Sequence, residues 1–213
     1  MTRDELAASR SDYDGEVLLE DGAPADPLLL FDRWLHDALQ AATTGALRDP
    51  TAMTLATLRR TDSGLRPAAR IVLMKDFDKQ GITFYTNHES AKGIQLAADP
   101  QAAATFWWPP LFREVRFTGI TERVDRATAE AYFATRPRGS QLGAWASDQS
   151  QPVESVAALA AAYAEQEEVW AGRAVDCPPH WGGYRLVPDE VELWQGRPTR
   201  MHDRLHYVRK GDG

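Results

Sequence analysis

The sequence has very little cysteine: Cys177 is the only one among its 213 residues. A lone thiol cannot form an intrachain disulfide or supply the cysteine set of a structural zinc site, which is typical of a reducing compartment. No apolar run approaches the ~18 residues of a membrane-spanning helix, and the N-terminus is acidic where a targeting peptide would be basic. We therefore expect a cytoplasmic protein.

Basic charge is also scarce, because 24 Lys and Arg stand against 31 Asp and Glu, a formal net charge of −7. This balance disfavours a general nucleic-acid or membrane binder, although a local cationic cluster can still bind a small anion. A Gly-rich phosphate loop, a GxSxG nucleophile elbow and an HExxH metal motif are all missing. His202 and His206 lack a carboxylate partner in register, so we expect no metal site. The chemistry is expected to come from a bound cofactor.

Two unequal parts follow from the pattern of apolar residues. Residues 1–26 are polar and predict a mobile arm, whereas residues 27–213 predict a single domain. In that domain Asp26 and Pro27 begin an amphipathic helix, and short β-rich runs joined by tight turns follow. Further helices are predicted at 90–98, 127–135 and 153–171, with a long loop at 136–152. Antiparallel strands closed into a barrel of about six, with helices outside, fit this order.

Cations stand at both ends of the apolar strand 70–75, where alternation places Arg70 and Lys75 on opposite faces. A buried strand with solvated ends explains this pattern equally well. Ser90 and Lys92 open a helix, whose N-terminus suits a phosphate, although Ser90 also suits a plain N-cap.

A third cluster combines Tyr132 and Arg136, four residues apart on one helix face, with Arg138 and Ser140 beyond Pro137. Such donors can hold a dianion, or the cations can simply favour a helix C-terminus.

At the C-terminal end, an extended backbone would place Arg200, His202 and Arg204 on one side, suited to an anionic substrate and a proton or hydride step. Three short strands are expected in this part of the chain. Trp181 and Trp194, like the other large aromatic residues, are expected mostly to fill the core and interfaces.

Several motifs occur in one order along the chain: RIVLMK, FYTNHESAKG, YFATRPRGSQLGAWAS, HWGGYR, ELWQG and RMHDR. Together they resemble the pyridoxamine 5′-phosphate oxidase family, from about residue 10 to residue 209. The resemblance implies an α+β, mainly antiparallel fold, the FMN-binding split β-barrel of Greek-key type with flanking helices. It also implies a homodimer with FMN at the subunit interface. The implied reaction oxidises pyridoxamine and pyridoxine 5′-phosphate to pyridoxal 5′-phosphate by hydride transfer to flavin, with O2 reduced to H2O2, in vitamin B6 biosynthesis and salvage.

The resemblance also implies roles for individual positions. The expected FMN contacts are Arg70, Ile71, Val72, Leu73, Met74, Lys75, Tyr85, Thr86, Ser90, Lys92, Glu114, Gln149, Ser150, Trp194 and Arg204. The expected substrate contacts are Arg10, Tyr13, Lys75, Tyr132, Arg136, Ser140, Arg200 and His202. Of these, Arg200 and His202 are the catalytic candidates: Arg200 would polarise the substrate, and His202 or water would receive a proton. Arg10 and Tyr13 belong to the N-terminal arm, which would close over the site as a lid.

Three departures from the family pattern stand out. Glu114 replaces the usual glutamine, and its carboxylate would repel an anionic reduced flavin unless it is protonated or paired with Arg113 or Arg116. Ala91 replaces a frequent arginine, so flavin affinity is expected to be modest. The sequence ends at Gly213, before the family's usual terminal segment, so a strand edge or part of the site is expected to be incomplete.

Two other functions stay open at this stage. One is a sister flavoprotein of the same barrel, such as a phenazine-pathway oxidase or a deazaflavin-using reductase. The other is a non-catalytic carrier of flavin or pyridoxal phosphate.

Overall fold

The computed structural model describes residue 3 and residues 12–210, so Arg10 lies outside the described residues. Its helices are α1 (Pro27–Thr43), α2 (Ala91–Ala98), α3 (Arg126–Thr135), α4 (Arg138–Ala146) and α5 (Val156–Val169). Its strands are β1 (Ala52–Thr61), β2 (Gly64–Asp78), β3 (Gly81–Asn87), β4 (Gln101–Trp108), β5 (Arg113–Arg123), β6 (Trp181–Gln195) and β7 (Asp203–Val208). Short 3-10 turns cover Pro109–Leu111 and Pro198–Arg200. None of the helices within these residues is both long and apolar enough to cross a membrane.

All strand pairs are antiparallel, and they form one sheet in the order β3-β2-β1-β4-β5-β6-β7. An additional pairing between β3 and β6 closes six of the strands into a barrel. Closure removes free strand edges, which explains why a barrel is favoured over an open sheet. The predicted α+β, mainly antiparallel barrel with flanking helices is confirmed.

Strand β6 is shared between the barrel and its extension. One of its edges pairs with β5 over residues 184–195, whereas the other pairs with β3 over residues 181–186 and with β7 over residues 190–195. The expectation of two separate strands around Pro188 is wrong. A register shift opposite Thr118 and Gly119 leaves Asp189 unpaired with β5, and such a bulge lets the strand continue past a proline.

The predicted first helix is confirmed as α1. The Asp26 carboxylate accepts a hydrogen bond from the Leu28 N–H at 2.9 Å, and Pro27 occupies the first turn. Phe31 and Ala38 on its inner face are fully buried. The Phe31 ring lies 5.0 Å from the Phe117 ring, so α1 packs its apolar face onto the barrel core.

The prediction of a continuous loop over 136–152 is wrong, because α4 occupies its first half. Gly139, Ser140 and Gly143 are weak helix formers, so local propensity hides this helix. Tertiary contacts stabilise it instead: Leu142 is buried, and the Gln141 side chain donates a hydrogen bond to the Phe133 carbonyl at 3.0 Å.

His88 lies in the turn between β3 and α2, with its ring against Gly182 and Tyr184. Its Nε2 atom is buried, and residues 12–210 offer it no hydrogen-bond partner. Burial, together with the positive charge of Arg123, lowers the pKa of His88 to about 4. The folded protein therefore keeps this ring neutral at a pH where an unfolded histidine binds a proton.

This difference predicts a loss of stability in mild acid. Between about pH 6.5 and pH 4, His88 binds a proton in the unfolded chain but stays neutral in the folded chain. The free energy of unfolding therefore decreases as the pH falls through that range. Because the ring is only half-buried, we expect the free energy of unfolding to fall by roughly 1–2 kcal/mol over this range. Urea unfolding at pH 7 and pH 5 should show a smaller pH-dependent loss for His88→Leu than for the wild type. His36→Leu, on the exposed face of α1, is the control, and equal losses in all three proteins would contradict the prediction.

Candidate functional site

A cavity of about 490 Å³ opens beside the barrel, between the outer face of β2, the end of β3 and helices α3 and α4. From the expected cofactor set it is lined by Ile71, Val72, Leu73, Lys75, Tyr85, Thr86, Lys92 and Gln149. From the expected substrate set it is lined by Lys75, Tyr132, Arg136 and Ser140. The structure thus brings two separately predicted clusters to one cavity.

One corner of the cavity is built around Lys92 at the start of α2. Its Nζ donates hydrogen bonds to Thr86 Oγ1 and to Gln149 Oε1, both at 3.1 Å. Burial lowers the pKa of Lys92, and the charge of Arg70 adds to this effect. Among residues 12–210 the ammonium contacts neutral oxygens and no carboxylate. A desolvated cation at a helix N-terminus suits a phosphate group.

The opposite corner is built around Arg136, at the C-terminal end of α3. Its guanidinium lies 4.8 Å from the centre of the Trp181 ring, and burial lowers the pKa of Arg136. The Nη1 atom is buried and has no hydrogen-bond partner among the described residues. Tyr132 stacks on Tyr85 at 4.0 Å, and Tyr85 stacks in turn on Trp181 at 5.4 Å. The aromatic rings therefore hold Arg136 in place while leaving donor capacity for an anion.

Trp181 is a site residue that sequence reasoning missed, since it was expected to fill the core. It is almost fully buried, which agrees with that expectation, but it also lines the cavity beneath Arg136. Periodicity carries no signal for this role, because the contact depends on β6 and α3 meeting in space.

Arg138 has a different role from its neighbour Arg136. Its guanidinium donates hydrogen bonds to the Trp170 and Arg173 carbonyls, at 2.6 and 2.9 Å. Arg138 therefore ties α4 to the C-terminal end of α5, as expected for a cation near a helix C-terminus.

Seven members of the expected cofactor set do not line the cavity, namely Glu114, Trp194 and Arg204, which lie on β5–β7, and four others. The Arg70 guanidinium faces the barrel interior, where it donates hydrogen bonds to Thr57 Oγ1 at 2.6 Å and to Gln95 Oε1 at 2.9 Å. Ser90 is fully buried, and its hydroxyl caps α2 by accepting from the Gly93 N–H at 3.3 Å. The other two members are Met74, which lies in the core, and Ser150, which is exposed.

A second group of site residues, here called the β6–β7 cluster, consists of Tyr13, Trp194, Arg200 and His202. The His202 ring lies 4.5 Å from the Trp194 ring and 5.2 Å from the Tyr13 ring, and the Arg200 guanidinium lies 5.3 Å from the Tyr13 ring. None of the four lines the cavity. The expected juxtaposition of Arg200 and His202 with Tyr13 is therefore present.

The backbone of residues 200–204 is not extended throughout, contrary to the arrangement considered for Arg200, His202 and Arg204. Pro198–Arg200 forms a 3-10 turn in which Thr199 and Arg200 have positive φ angles of 59° and 67°. Strand alternation therefore does not place Arg200, His202 and Arg204 on one side. Two adjacent residues in the left-handed region, one of them β-branched, store strain of a kind found at functional sites.

Glu114 and Arg204, the remaining members of the expected cofactor set, belong to a chain of charges across β5, β6 and β7. Glu114 pairs with Arg116 at 3.5 Å, Arg116 contacts Glu192, and Glu192 pairs with Arg204 at 3.5 Å. Of the two partners considered for Glu114, Arg116 is the one in contact. Arg113 instead donates a hydrogen bond to Asp37 at 2.6 Å.

The cavity and the β6–β7 cluster lie at opposite ends of one strand. Trp181 begins β6 and Trp194 nearly ends it, so extended geometry separates them by roughly 30–40 Å. The two groups cannot meet around one small molecule within a single chain.

Comparison with known proteins gives matches along almost the whole chain. The family model described as pyridoxamine 5′-phosphate oxidase matches residues 39–170. The model described as the pyridoxine 5′-phosphate oxidase C-terminal dimerisation region matches residues 181–213. The pyridoxine/pyridoxamine 5′-phosphate oxidase of Ectopseudomonas mendocina is 49% identical over 207 residues, which cover 97% of this chain and 94% of that protein.

Solved structures show the same fold. PhzG from Burkholderia lata, in complex with tetrahydrophenazine-1-carboxylic acid, has a TM-score of 0.82 at 30% identity, covering 93% of this chain and 95% of PhzG. A pyridoxamine 5′-phosphate oxidase-related, FMN-binding protein from Nostoc punctiforme has a TM-score of 0.65 at 20% identity, covering 84% of this chain and 90% of that protein.

Proposed function

Because the chain belongs to the pyridoxamine 5′-phosphate oxidase family, we propose that it oxidises pyridoxamine 5′-phosphate and pyridoxine 5′-phosphate to pyridoxal 5′-phosphate, with FMN as cofactor and O2 reduced to H2O2. One observation carries this proposal: a single cavity has two cationic corners, at Lys92 and Arg136. FMN and the substrate each bring one phosphate dianion, and each dianion needs fixed cationic donors.

The donors at the Lys92 corner fit the FMN phosphate. Lys92, Thr86 and Gln149 already converge there, and α2 directs its N-terminus to the same place. The exposed apolar side chains of Ile71 and Leu73 offer a surface for the flavin ring. When bound, FMN supplies the acceptor of the hydride and transfers the electrons to O2.

The donors at the Arg136 corner fit the substrate phosphate. Arg136 offers a partly buried guanidinium whose Nη1 has no hydrogen-bond partner within residues 12–210, and Tyr132, Lys75 and Ser140 line the same cavity. Holding the phosphate there orients the rest of the substrate, which is the main way a protein accelerates a reaction whose chemistry a cofactor supplies.

We propose that a second copy of the chain completes the site. The β6–β7 cluster cannot reach the cavity of its own chain, and the match to a dimerisation region covers its members Trp194, Arg200 and His202. In a homodimer, Arg200 and His202 of one subunit would meet the substrate held by the other. Arg200 would polarise the substrate through its positive charge.

The hydrogen bonding of His202 favours a role as a hydrogen-bond donor to the substrate over a role as proton acceptor. Its Nδ1 accepts a hydrogen bond from the Arg197 N–H at 3.0 Å, so the neutral ring carries its proton on Nε2. In this arrangement His202 donates a hydrogen bond to the substrate and holds it in place. Water then receives the proton that leaves the amine or hydroxyl group.

The direct test is to mix the FMN-loaded protein with pyridoxamine 5′-phosphate in the absence of oxygen and follow the visible absorbance. Bleaching, followed by recovery when air is admitted, would establish both half-reactions. Pyridoxine 5′-phosphate serves as a parallel substrate, and pyridoxamine without its phosphate is the matched control. A flavin that stays yellow with both phosphates would overturn the oxidase proposal and favour the carrier.

The similarity to PhzG keeps a phenazine-pathway oxidase as the second candidate. A phenazine carboxylic acid has no phosphate, so the Arg136 corner would have no dianion to bind. Bleaching by a reduced phenazine carboxylic acid, with none by the B6 phosphates, would favour that candidate.

The contact between Glu114 and Arg116 leads to a prediction for Glu114→Gln. Arg116 offsets only part of the negative charge, because it is shared with Glu192. Removing the carboxylate should therefore ease formation of the anionic reduced flavin and leave FMN bound at least as tightly. Stopped-flow reduction by pyridoxamine 5′-phosphate should be faster, and the midpoint potential of the bound flavin should be higher, than in the wild type. Slower reduction would count against this idea; Glu122→Gln, at the far end of β5, is the control.

A further inference from the structure

Arg197, in the connection between β6 and β7, contacts the N-terminal segment of residues 13–18. Its Nη1 donates a hydrogen bond to the Gly15 carbonyl at 2.9 Å, and its Nε pairs with Asp203 at 3.4 Å. The same carboxylate oxygen of Asp203 accepts a hydrogen bond from the Leu18 N–H at 2.9 Å. Arg197 and Asp203 together therefore hold the segment at two points.

The segment fits closely against the turn that follows β6. A Cβ atom at Gly15 would lie 2.1 Å from Gln195 Nε2 and 2.3 Å from the Gly196 carbonyl oxygen, so only glycine allows this approach. A Cβ atom at Gly196 would lie 2.7 Å from the Tyr13 ring. The two glycines therefore let the segment lie directly against Gln195 and Gly196.

Arg197 also acts on His202 through its main chain. The Arg197 N–H donates to His202 Nδ1 at 3.0 Å, and a backbone N–H can only donate. The His202 ring in turn lies against Tyr13 at 5.2 Å. One residue thus contacts both the docked segment and the imidazole beside it.

We propose that Arg197 is a positioning residue that docks residues 13–18 and, through the same backbone, orients His202 toward the substrate. This inference rests on the proposed function, because Tyr13 and His202 are expected to touch the substrate. The residue itself does not touch the substrate or the cofactor. Its side chain provides the docking, and its N–H selects the Nε2-protonated form of His202.

The experiment compares Arg197→Gln and Arg197→Lys with the wild type, all as FMN-loaded full-length protein. Arg60→Gln, on the exposed end of β1, is the control. Hydrogen–deuterium exchange reports the protection of the Leu18 amide, and steady-state kinetics separate KM from kcat. Losing a charged hydrogen bond of this kind should lower the equilibrium constant for docking residues 13–18 about tenfold. Arg197→Gln should therefore raise the exchange rate over residues 13–18 and the KM by ~10-fold each.

The other readouts separate positioning from a general structural role. FMN affinity and the melting temperature should match the wild type, and Arg197→Lys, which keeps one charged donor, should restore part of the protection. In the wild type, nitrogen NMR should show His202 protonated at Nε2. Unchanged exchange in Arg197→Gln, an Nδ1-protonated ring, or an equal loss of FMN would each overturn the proposal. If no variant or wild-type protein oxidises either B6 phosphate, the proposed function fails, whereas the exchange and NMR results still decide the role of Arg197.

Discussion

Replacing Arg136 with methionine should lower kcat/KM for pyridoxamine 5′-phosphate by about 100- to 10,000-fold, while FMN stays bound. A guanidinium can make two charge-assisted hydrogen bonds to a phosphate, each contributing about 1.5–3 kcal/mol, and every 1.4 kcal/mol corresponds to about a factor of ten. The loss should fall mainly on KM, because the phosphate is bound alike before and during the reaction.

The surroundings of Arg136 make this variant informative, since the fold does not depend on its charge. The guanidinium is partly buried, its Nη1 has no hydrogen-bond partner in the described part of the chain, and burial lowers its pKa. Methionine removes a desolvated charge and can still pack on Trp181, so the melting temperature should not fall. Arg136→Lys keeps the charge but loses the planar, two-pronged guanidinium, so it should lower kcat/KM by an intermediate factor of about ten.

Arg60→Met, far from the cavity, is the matched control and should behave like the wild type. Activity toward pyridoxamine without its phosphate is the second control, because a residue that binds the phosphate should leave that low rate unchanged. Equal losses with and without the phosphate would contradict the assignment of Arg136 to the substrate phosphate.

Replacing Lys92 with methionine should weaken FMN binding by about 10- to 100-fold and leave riboflavin binding unchanged. The two ligands differ only in the phosphate, so their comparison isolates the corner at the start of α2. Lys92 meets three neutral oxygens, from Thr86, Gln149 and Ser90, and burial lowers its pKa. A bound phosphate would supply the negative charge that these neutral partners lack.

Quenching of flavin fluorescence measures both affinities without any need for turnover. Lys79→Met, in the exposed turn between β2 and β3, removes the same charge outside the cavity and should leave both affinities unchanged. A Lys92→Met protein that loses riboflavin as strongly as FMN would show that Lys92 supports the flavin ring or the fold, not the phosphate.

Local patterns predict much of the fold. The N-cap and proline at the start of α1, the tight turns of the first two hairpins and the apolar alternation of the strands are all local features, and each is confirmed. The helix α4 escaped prediction because its glycines oppose helix formation and its stability comes from contacts with α3. The continuous β6 escaped prediction because Pro188 looks like a strand end unless the bulge beside it is known.

The cavity-lining residues could be predicted from the sequence where they carry a charged or hydroxyl group within a recognisable motif. Lys75, Lys92, Tyr132 and Arg136 carry charges or hydroxyl groups whose spacing and family motifs mark them, and the cavity brings them together. Trp181 and Arg197 were missed because their roles depend on partners that are distant along the chain. Arg70 was assigned to the phosphate from its motif, but the partners of its guanidinium, Thr57 and Gln95, could be known only from the barrel.

The single 15-residue strand β6 also fixes the distance between the cavity at its start and the β6–β7 cluster at its end. In the proposed dimer, the first residues of β6 would belong to one active site and its last residues to the other. A single continuous strand would then connect the two active sites. Deleting Asp189 at the bulge would shift everything beyond it by one residue and turn Trp194 from the outer face to the inner face. Insertions would therefore be tolerated in the exposed turn between β1 and β2 but not within β6, where the residue count determines whether both reaction centres are complete.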